Sequence, residues 1–214
     1  MTAAHEHVEL RRVFAAYPTG VAAIAALVEG MPAGIAASSF VSVSLDPPLV
    51  SVCVAHTSTT WPALRSAKRL GISVLGAHQE LAGRHLGARG AERFAALSWR
   101  ATGEGAVILC GASAWLDCSI DRHITAGDHD IVLLRVHDLA ASDMPPLVFH
   151  GSTFRQLQAR SRAEDLSRET HGRGLLRMVS ARHTGTPPPS SGPPDMLIST
   201  HRKAEIWQIG RAHV

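Results

Sequence analysis

Apolar positions along the chain recur first at helical spacing and then at strand spacing. Leu10, Val13 and Phe14 fit one helical face over 8–16, and Pro18-Thr19-Gly20 closes that segment. A short Ala-rich run over 21–28 predicts a buried strand, Glu29-Gly30-Met31-Pro32 a turn, and 33–45 its hairpin partner. In that partner Phe40, Ser42 and Ser44 alternate with Val41, Val43 and Leu45 until Asp46-Pro47-Pro48 ends the strand as a structural turn. Residues 49–55 (LVSVCVA) predict another strand, the polar run 56–60 a loop, and 61–68 a short helix with Pro62 in its first turn, where a missing N–H costs little.

Further along, 69–75 reads as a strand, while 78–86 and 91–97 read as helices. Strand alternation returns over 106–120 around Ala112, Ala114, Leu116 and Cys118. A loop over 121–128 then leads to a strand over 129–139, and Pro145-Pro146 precedes a last strand over 147–150. Six or seven short strands with two or three connecting helices predict a mainly β, antiparallel barrel, closed or partly closed. Strands and helices do not alternate regularly, which argues against a doubly wound parallel sheet. After residue 157 the composition turns to Arg, Ser, Gly and Pro, with a PPPSSGPP run at 187–194, so 1–157 reads as one domain and 158–214 as a mostly disordered tail. Within the tail, Leu175, Leu176, Met178 and Val179 could form a short helix, and the closing 209–214 looks like translated sequencing-adapter DNA.

Composition narrows the function classes. The 214 residues are 45% apolar and 18% charged, as for an ordinary globular protein. A net charge of +3, with basic residues crowding only after Gln158, gives no case for a nucleic-acid partner. No apolar run reaches the roughly 20 residues of a membrane span, and the first dozen residues lack an apolar leader core. Cys53, Cys110 and Cys118 form no CxxC pair, and their apolar neighbours predict buried, reduced thiols in a cytoplasmic protein. With aromatics at 5%, a site for a flat cofactor must be lined by small and aliphatic side chains.

The chemistry concentrates in Gly34–Pro48, GIAASSFVSVSLDPP, together with the distant Gly127-Asp128-His129. Small residues let a ligand approach the backbone, and hydroxyls and N–H groups offer it hydrogen bonds. Ser38 and Ser39 are equally compatible with plain strand-edge hydroxyls, Ser58, Thr59 and Thr60 with a helix cap, and His129 with an ordinary loop pair beside Asp128. His123, Asp128 and His129 match no zinc spacing, so no metal is expected. A GxSxG nucleophile elbow and a phosphate-loop glycine motif are both absent.

Phe14, Pro18-Thr19-Gly20-Val21, Gly34, Ser38-Ser39-Phe40, the SVSLDPPLV block at 42–50, Ser58, Leu75, Gln79, Phe94, Gly127-Asp128-His129 and Pro146-Leu147 together resemble one known family. It comprises the flavin reductase-like, FMN-binding split-barrel proteins, the reductase components of two-component flavin monooxygenases. The resemblance spans about residues 8–157 and is carried mainly by the SxSLDPPL block. It implies a six-stranded antiparallel Greek-key split barrel with short peripheral helices, dimerising, with one flavin per subunit near the dimer interface. It also implies reduction of FMN or FAD by NADH or NADPH, the reduced flavin diffusing to a partner oxygenase.

Carried over residue by residue, Ala36, Ala37, Ser38 and Ser39 would line the isoalloxazine ring, Phe40 and Ser42 would continue that segment, and Thr19 would sit at the ring's edge. Ser58, Thr59 and Thr60 would bind the flavin phosphate, aided by the positive end of the helix from Trp61. His129, set by the Gly127-Asp128 turn, would contact the nicotinamide or cover the flavin face. The sequence departs from the family's usual Met-Thr-Ala-Asn with Ile35-Ala36-Ala37-Ser38, and from Tyr-x-Arg-Gly with Phe149-His150-Gly151. Two other functions fit the same resemblance: a split-barrel module holding flavin, haem or deazaflavin without turnover, and a flavoprotein keeping FMN as a tight prosthetic group.

Overall fold

The computed structural model describes residues 3–88 and 92–157. The expectations for the tail, 158–214, lie outside the described residues. Helix α1 (Ala3–Phe14) leads into β1 (Thr19–Gly20), β2 (Ala22–Val28), β3 (Met31–Ala37), β4 (Val41–Leu45) and β5 (Pro48–Ala55). There follow α2 (Trp61–Leu64), β6 (Leu70–Val74), α3 (Glu80–Gly87), β7 (Trp99–Ala101) and β8 (Val107–Leu109). The last elements are β9 (Ala114–Ala126), β10 (His129–Ala141), β11 (Leu147–His150) and β12 (Thr153–Gln156). The fold is mainly β with few short helices.

Seven strands form one antiparallel sheet in the order β3-β2-β6-β9-β10-β5-β4, flanked by a β1-β11-β12 sheet and a β7-β8 hairpin. This differs from the expected six-stranded barrel: β3 and β4 are the sheet's edges, with no ladder joining them. The expected 33–45 strand breaks at Ser38–Phe40 into β3 and β4, and Ser39 turns its hydroxyl onto the Cys53 backbone of β5. The two ends of the sheet thus meet through a side chain. Asp46-Pro47-Pro48 is the turn that the sequence predicts, with a cis Asp46–Pro47 peptide and Leu45 paired to Pro48.

Strand β2 is packed on both faces, and this explains its alanines. Ala22, Ile24 and Ala26 pack into one core with Val50, Val52, Val54, Leu64, Leu70, Ile72, Val132 and Leu134. Val21, Ala23 and Ala25 pack on the opposite side with Leu75, Leu86, Phe94, Val107, Leu109 and Leu147. Both faces are covered, so only small residues fit along most of the strand. Each fully buried Leu or Ile contributes about 1.5–3 kcal/mol. Ser73 is buried but satisfied, accepting the Leu109 N–H at 2.9 Å and so fixing β8 on β6.

Four further expectations are corrected. The helix expected over 61–68 is a single turn, Trp61–Leu64, and 92–97 forms turns instead of a helix. The loop expected over 121–128 is strand: β9 runs to Ala126, and only Gly127 and Asp128 separate it from β10. Gly127 takes φ +65° at the first turn position, a conformation glycine adopts without steric cost. Cys53 and Cys110 are exposed and Cys118 is buried: Cys53 faces away from the core side taken by Val52 and Val54, and Cys110 lies in the turn after β8. No helix among the described residues is long and apolar enough to cross a membrane.

Candidate functional site

A cleft of about 350 Å³ opens where β3, β5 and the β9–β10 turn converge. It is lined by Ile35, Ala36, Ala37, Ser38, Ser39, Cys53, Val54, Ala55, Ser58 and His129. The sheet register explains the convergence. His129, the first residue of β10, pairs with Ala55, the last of β5, and the Asp128 carbonyl accepts the His56 N–H at 3.0 Å. The two-residue turn therefore delivers His129 beside the start of the 56–60 loop. The break in β3–β4 brings Ala36–Ser39 to the opposite wall.

Six of the predicted site residues line this cleft: Ala36, Ala37, Ser38, Ser39, Ser58 and His129. Their hydroxyls are not equivalent. Ser38 is exposed and makes no side-chain hydrogen bond among the described residues, whereas Ser39 accepts the Cys53 N–H at 2.9 Å and donates to the Cys53 carbonyl at 3.2 Å. Ser39 thus sets the wall's shape, and Ser38 is the hydroxyl left to meet a ligand. The Ser58 hydroxyl accepts the N–H of Trp61, the first residue of α2, at 3.2 Å, which leaves its own proton to donate.

The other predicted residues lie outside the lining. Trp61 is buried in the core, its ring 6.0 Å from that of His123, so it supports the loop from below. Phe40 packs against the same core, and Ser42 is exposed on edge strand β4 opposite Val50. Thr59 is exposed; Thr60 is half-buried and accepts from Arg93 Nη1 at 2.9 Å. Thr19 pairs with Phe149 beside a second, apolar cleft of about 190 Å³ lined by Val21, Ala36–Ser38, Gly83, Gly87, Phe149 and Phe154. Ala36–Ser38 is therefore a thin wall between a polar and an apolar cleft.

Asp128 Oδ1 lies 2.7 Å from His129 Nδ1, and that hydrogen bond holds the Asp128 carboxyl below the usual carboxylate range. A carboxylate only accepts, so Nδ1 carries the proton there, and a neutral His129 keeps Nε2 as an acceptor. Asp130, the next strand residue, is bonded to His56 Nε2 at 2.9 Å and Thr125 Oγ1 at 3.2 Å. With α2 only one turn long, its dipole offers an anion little.

Sequence reasoning missed Ile35, Cys53, Val54 and Ala55 in the cleft, and Arg93 behind it. Cys53 was accessible from the alternation in LVSVCVA: Val50, Val52 and Val54 face the core, so Cys53 must face away. Arg93 gives no such signal, since it lies in a turn without periodicity.

Comparison with known proteins gives one consistent picture. The family described as Flavin reductase like domain matches residues 14–158. A probable flavin reductase of Rhizobium meliloti is 41% identical over 128 residues, which are 59% of this chain and 41% of that protein, so the chain spans only about two fifths of that relative. The HsaB reductase subunit of a flavin-dependent monooxygenase from Rhodococcus jostii is 34% identical over 65% of this chain and 72% of its own length. The solved structure of the Streptomyces globisporus NADH:FAD oxidoreductase SgcE6, in complex with NAD and FAD fragments, superposes with a TM-score of 0.69. It is 35% identical, over 75% of this chain and 98% of that one.

Proposed function

Because this chain belongs to the flavin reductase-like domain family, we propose that it is an NAD(P)H:flavin oxidoreductase. It passes a hydride from NADH or NADPH to FMN or FAD, and the reduced flavin leaves for a partner oxygenase. The observation that carries this reading is the convergence of Ala36–Ser39, Ser58 and His129 on one cleft from three separate stretches of chain. The residues present fit a flavin: the Ala36–Ser39 wall carries nothing larger than a hydroxymethyl group, and among the described residues the Ser38 and Ser58 hydroxyl protons have no acceptor.

A flavin bound there accepts a hydride equivalent at its ring system from a reduced nicotinamide stacked on it. The chain's own contribution is orientation. The Ala36–Ser38 backbone forms a flat wall, Ser39 holds that wall against β5, and Ser58 faces the ligand's polar tail. His129, its Nδ1 proton held by Asp128, presents Nε2 at the open side, where it positions the second ligand and can hold a proton. Preorganised contacts of this kind convert an encounter of two solutes into a reaction within one complex.

The finer architecture follows the same reading. The Ser39–Cys53 bonds draw the sheet's two edges together in the manner of a split barrel, with 1–157 as the catalytic domain. Edge strand β4 leaves Val41, Val43 and Leu45 exposed, a surface that a second copy of the chain would cover in a homodimer. A reductase drawing on the cell's pyridine nucleotides would work in the cytoplasm. The decisive experiment mixes the full chain with each of the four donor and acceptor pairs and follows the absorbance of the reduced nicotinamide. Steady consumption with at least one pair is expected, and none with any pair refutes the proposal.

A further inference from the structure

His56 holds both neighbours of His129. Its backbone N–H donates to the Asp128 carbonyl at 3.0 Å, and its ring Nε2 lies 2.9 Å from Asp130 Oδ1. A carboxylate only accepts, so Nε2 carries the proton of that bond. The register explains the reach. His129 and Ala55 are the last pair of the β5–β10 ladder, which leaves His56 opposite Asp128 and diagonal to Asp130, a spacing that a long side chain spans. Thr125 Oγ1 donates to the same Asp130 oxygen at 3.2 Å, and His123 Nδ1 stands 3.8 Å from the other.

A pair at the end of a ladder frays unless something beyond it holds. Beyond His129 and Ala55 the two chains are unequally held. The loop after β5 has anchors of its own: the Ser58 N–H donates to the Ala55 carbonyl at 3.0 Å, and Trp61 is buried in the core. The turn has less. Nothing lies within 4 Å of the Cβ position of Gly127, and the Asp128 side chain is 94% exposed. Among the described residues, the His56 N–H is the turn's one backbone partner outside the ladders. Asp128 also orients the His129 ring through Nδ1, so disorder in the turn reaches the cleft. An exposed ion pair adds little to global stability, so what the His56–Asp130 bond supplies is local order.

We propose that His56, clasped to Asp130, is a positioning residue for the second ligand: it fixes the Asp128–His129 pair and acts only through it. This rests on the reading of the cleft as a flavin and nicotinamide site. His56 and Asp130 do not line the cleft themselves; His129 does.

The test has two arms, both on the full chain. In the ligand-free protein, hydrogen exchange over 126–130 should run about tenfold faster in His56→Ala than in the parent, with 58–61 little changed. In turnover, His56→Ala should lower kcat/KM for the reduced nicotinamide about fivefold to tenfold and leave the flavin dissociation constant within about twofold. His56→Gln, which keeps an N–H donor at a similar reach, should recover most of both effects. In a His129→Ala background the same His56→Ala change should cost less than about twofold more, because its route is already gone. A full further loss there, a parallel loss of flavin binding, or unchanged exchange over 126–130 each overturns the proposal. So does a loosened 58–61 beside an unmoved turn. Failure of the reductase reading looks different: the unaltered chain would turn over no donor and acceptor pair, and the role would fall with the site.

Discussion

The Ser39 hydroxyl and the Cys53 backbone are joined twice, at 2.9 Å through the N–H and at 3.2 Å through the carbonyl. These bonds stand where a strand ladder between β3 and β5 would otherwise be. Ser39→Ala should cost about 1 kcal/mol, the net worth of such bonds at a partly exposed position, and should let the cleft wall drift. A lowered urea midpoint together with weaker flavin binding is expected. A midpoint shift without any change in binding would separate the wall from the ligand.

Cysteine chemistry maps the cleft without any mutation. Cys53 lines it and is exposed, Cys110 is exposed elsewhere, and Cys118 is buried. Burial, with Asp117 adding to it and Arg69 opposing, pushes the Cys118 thiol up to about 12, so it stays neutral and inert. In the native protein iodoacetamide should label Cys53 and Cys110 and spare Cys118. Saturating flavin should slow labelling at Cys53 alone, read by peptide mass spectrometry. Equal protection of Cys110 would move the ligand elsewhere.

His129 and Asp128 act as one unit at 2.7 Å. His129→Ala should lower kcat/KM for the reduced nicotinamide about tenfold or more while the flavin dissociation constant stays within about twofold. Asp128→Asn, which keeps the hydrogen bond but loses the charge, should fall between that variant and the parent. Parallel loss of both ligands would contradict the positioning role.

These residues show what a sequence makes legible and what it hides. The buried alternation of β5, the buried Ala-rich run of β2 and the Asp46-Pro47-Pro48 turn follow local rules of period and turn chemistry, so they can be read directly. The break at Ser38–Phe40 cannot, since Ala33 to Leu45 carries an unbroken strand-like pattern and only the Cys53 backbone, fourteen residues on, offers Ser39 its partners. Likewise β9 keeps its ladder over 122–126, past a bulge at Asp121, where four charged or polar residues over 121–126 read as loop, because β10 supplies pairing up to the turn. Arg93 gains its meaning only from Gly34 and Thr60, 59 and 33 residues away. Small-residue walls were visible; the side chains that brace them depend on long-range contacts.

Acid should loosen the cleft's edge through Asp130. The His56 hydrogen bond foremost, with Thr125 helping and desolvation opposing, holds this carboxyl below the ordinary carboxylate range. The unfolded chain therefore takes up the proton first as pH falls. The stability that Asp130 contributes is complete above the ordinary value and is lost as pH drops through the lower folded one. Between about pH 5 and 3 the urea midpoint should fall less steeply in Asp130→Asn than in the parent, and salt should shrink the difference, the pair being partly exposed. Identical slopes would show that the pair contributes nothing.

Two glycines give opposite expectations for the same substitution. A Cβ on Gly71, in the middle of β6, would sit 2.0 Å from the Val107 carbonyl oxygen and 2.6 Å from its carbon. Backbone cannot yield as a side chain would, so β8 would have to leave β6 and break the Ser73–Leu109 bond. Gly71→Ala should thus cost about 3 kcal/mol or more. Gly87, the last residue of α3, has nothing within 4 Å of its Cβ position and no positive φ. There Ala should raise stability by roughly 0.5–1 kcal/mol, as for glycine in a helix. Because Gly87 also lines the apolar cleft beside Ala36–Ser38, Gly87→Leu adds a functional arm. It should fill that cleft without loss of thermal midpoint, and unaltered flavin and nicotinamide binding in it would show that neither ligand reaches across the wall.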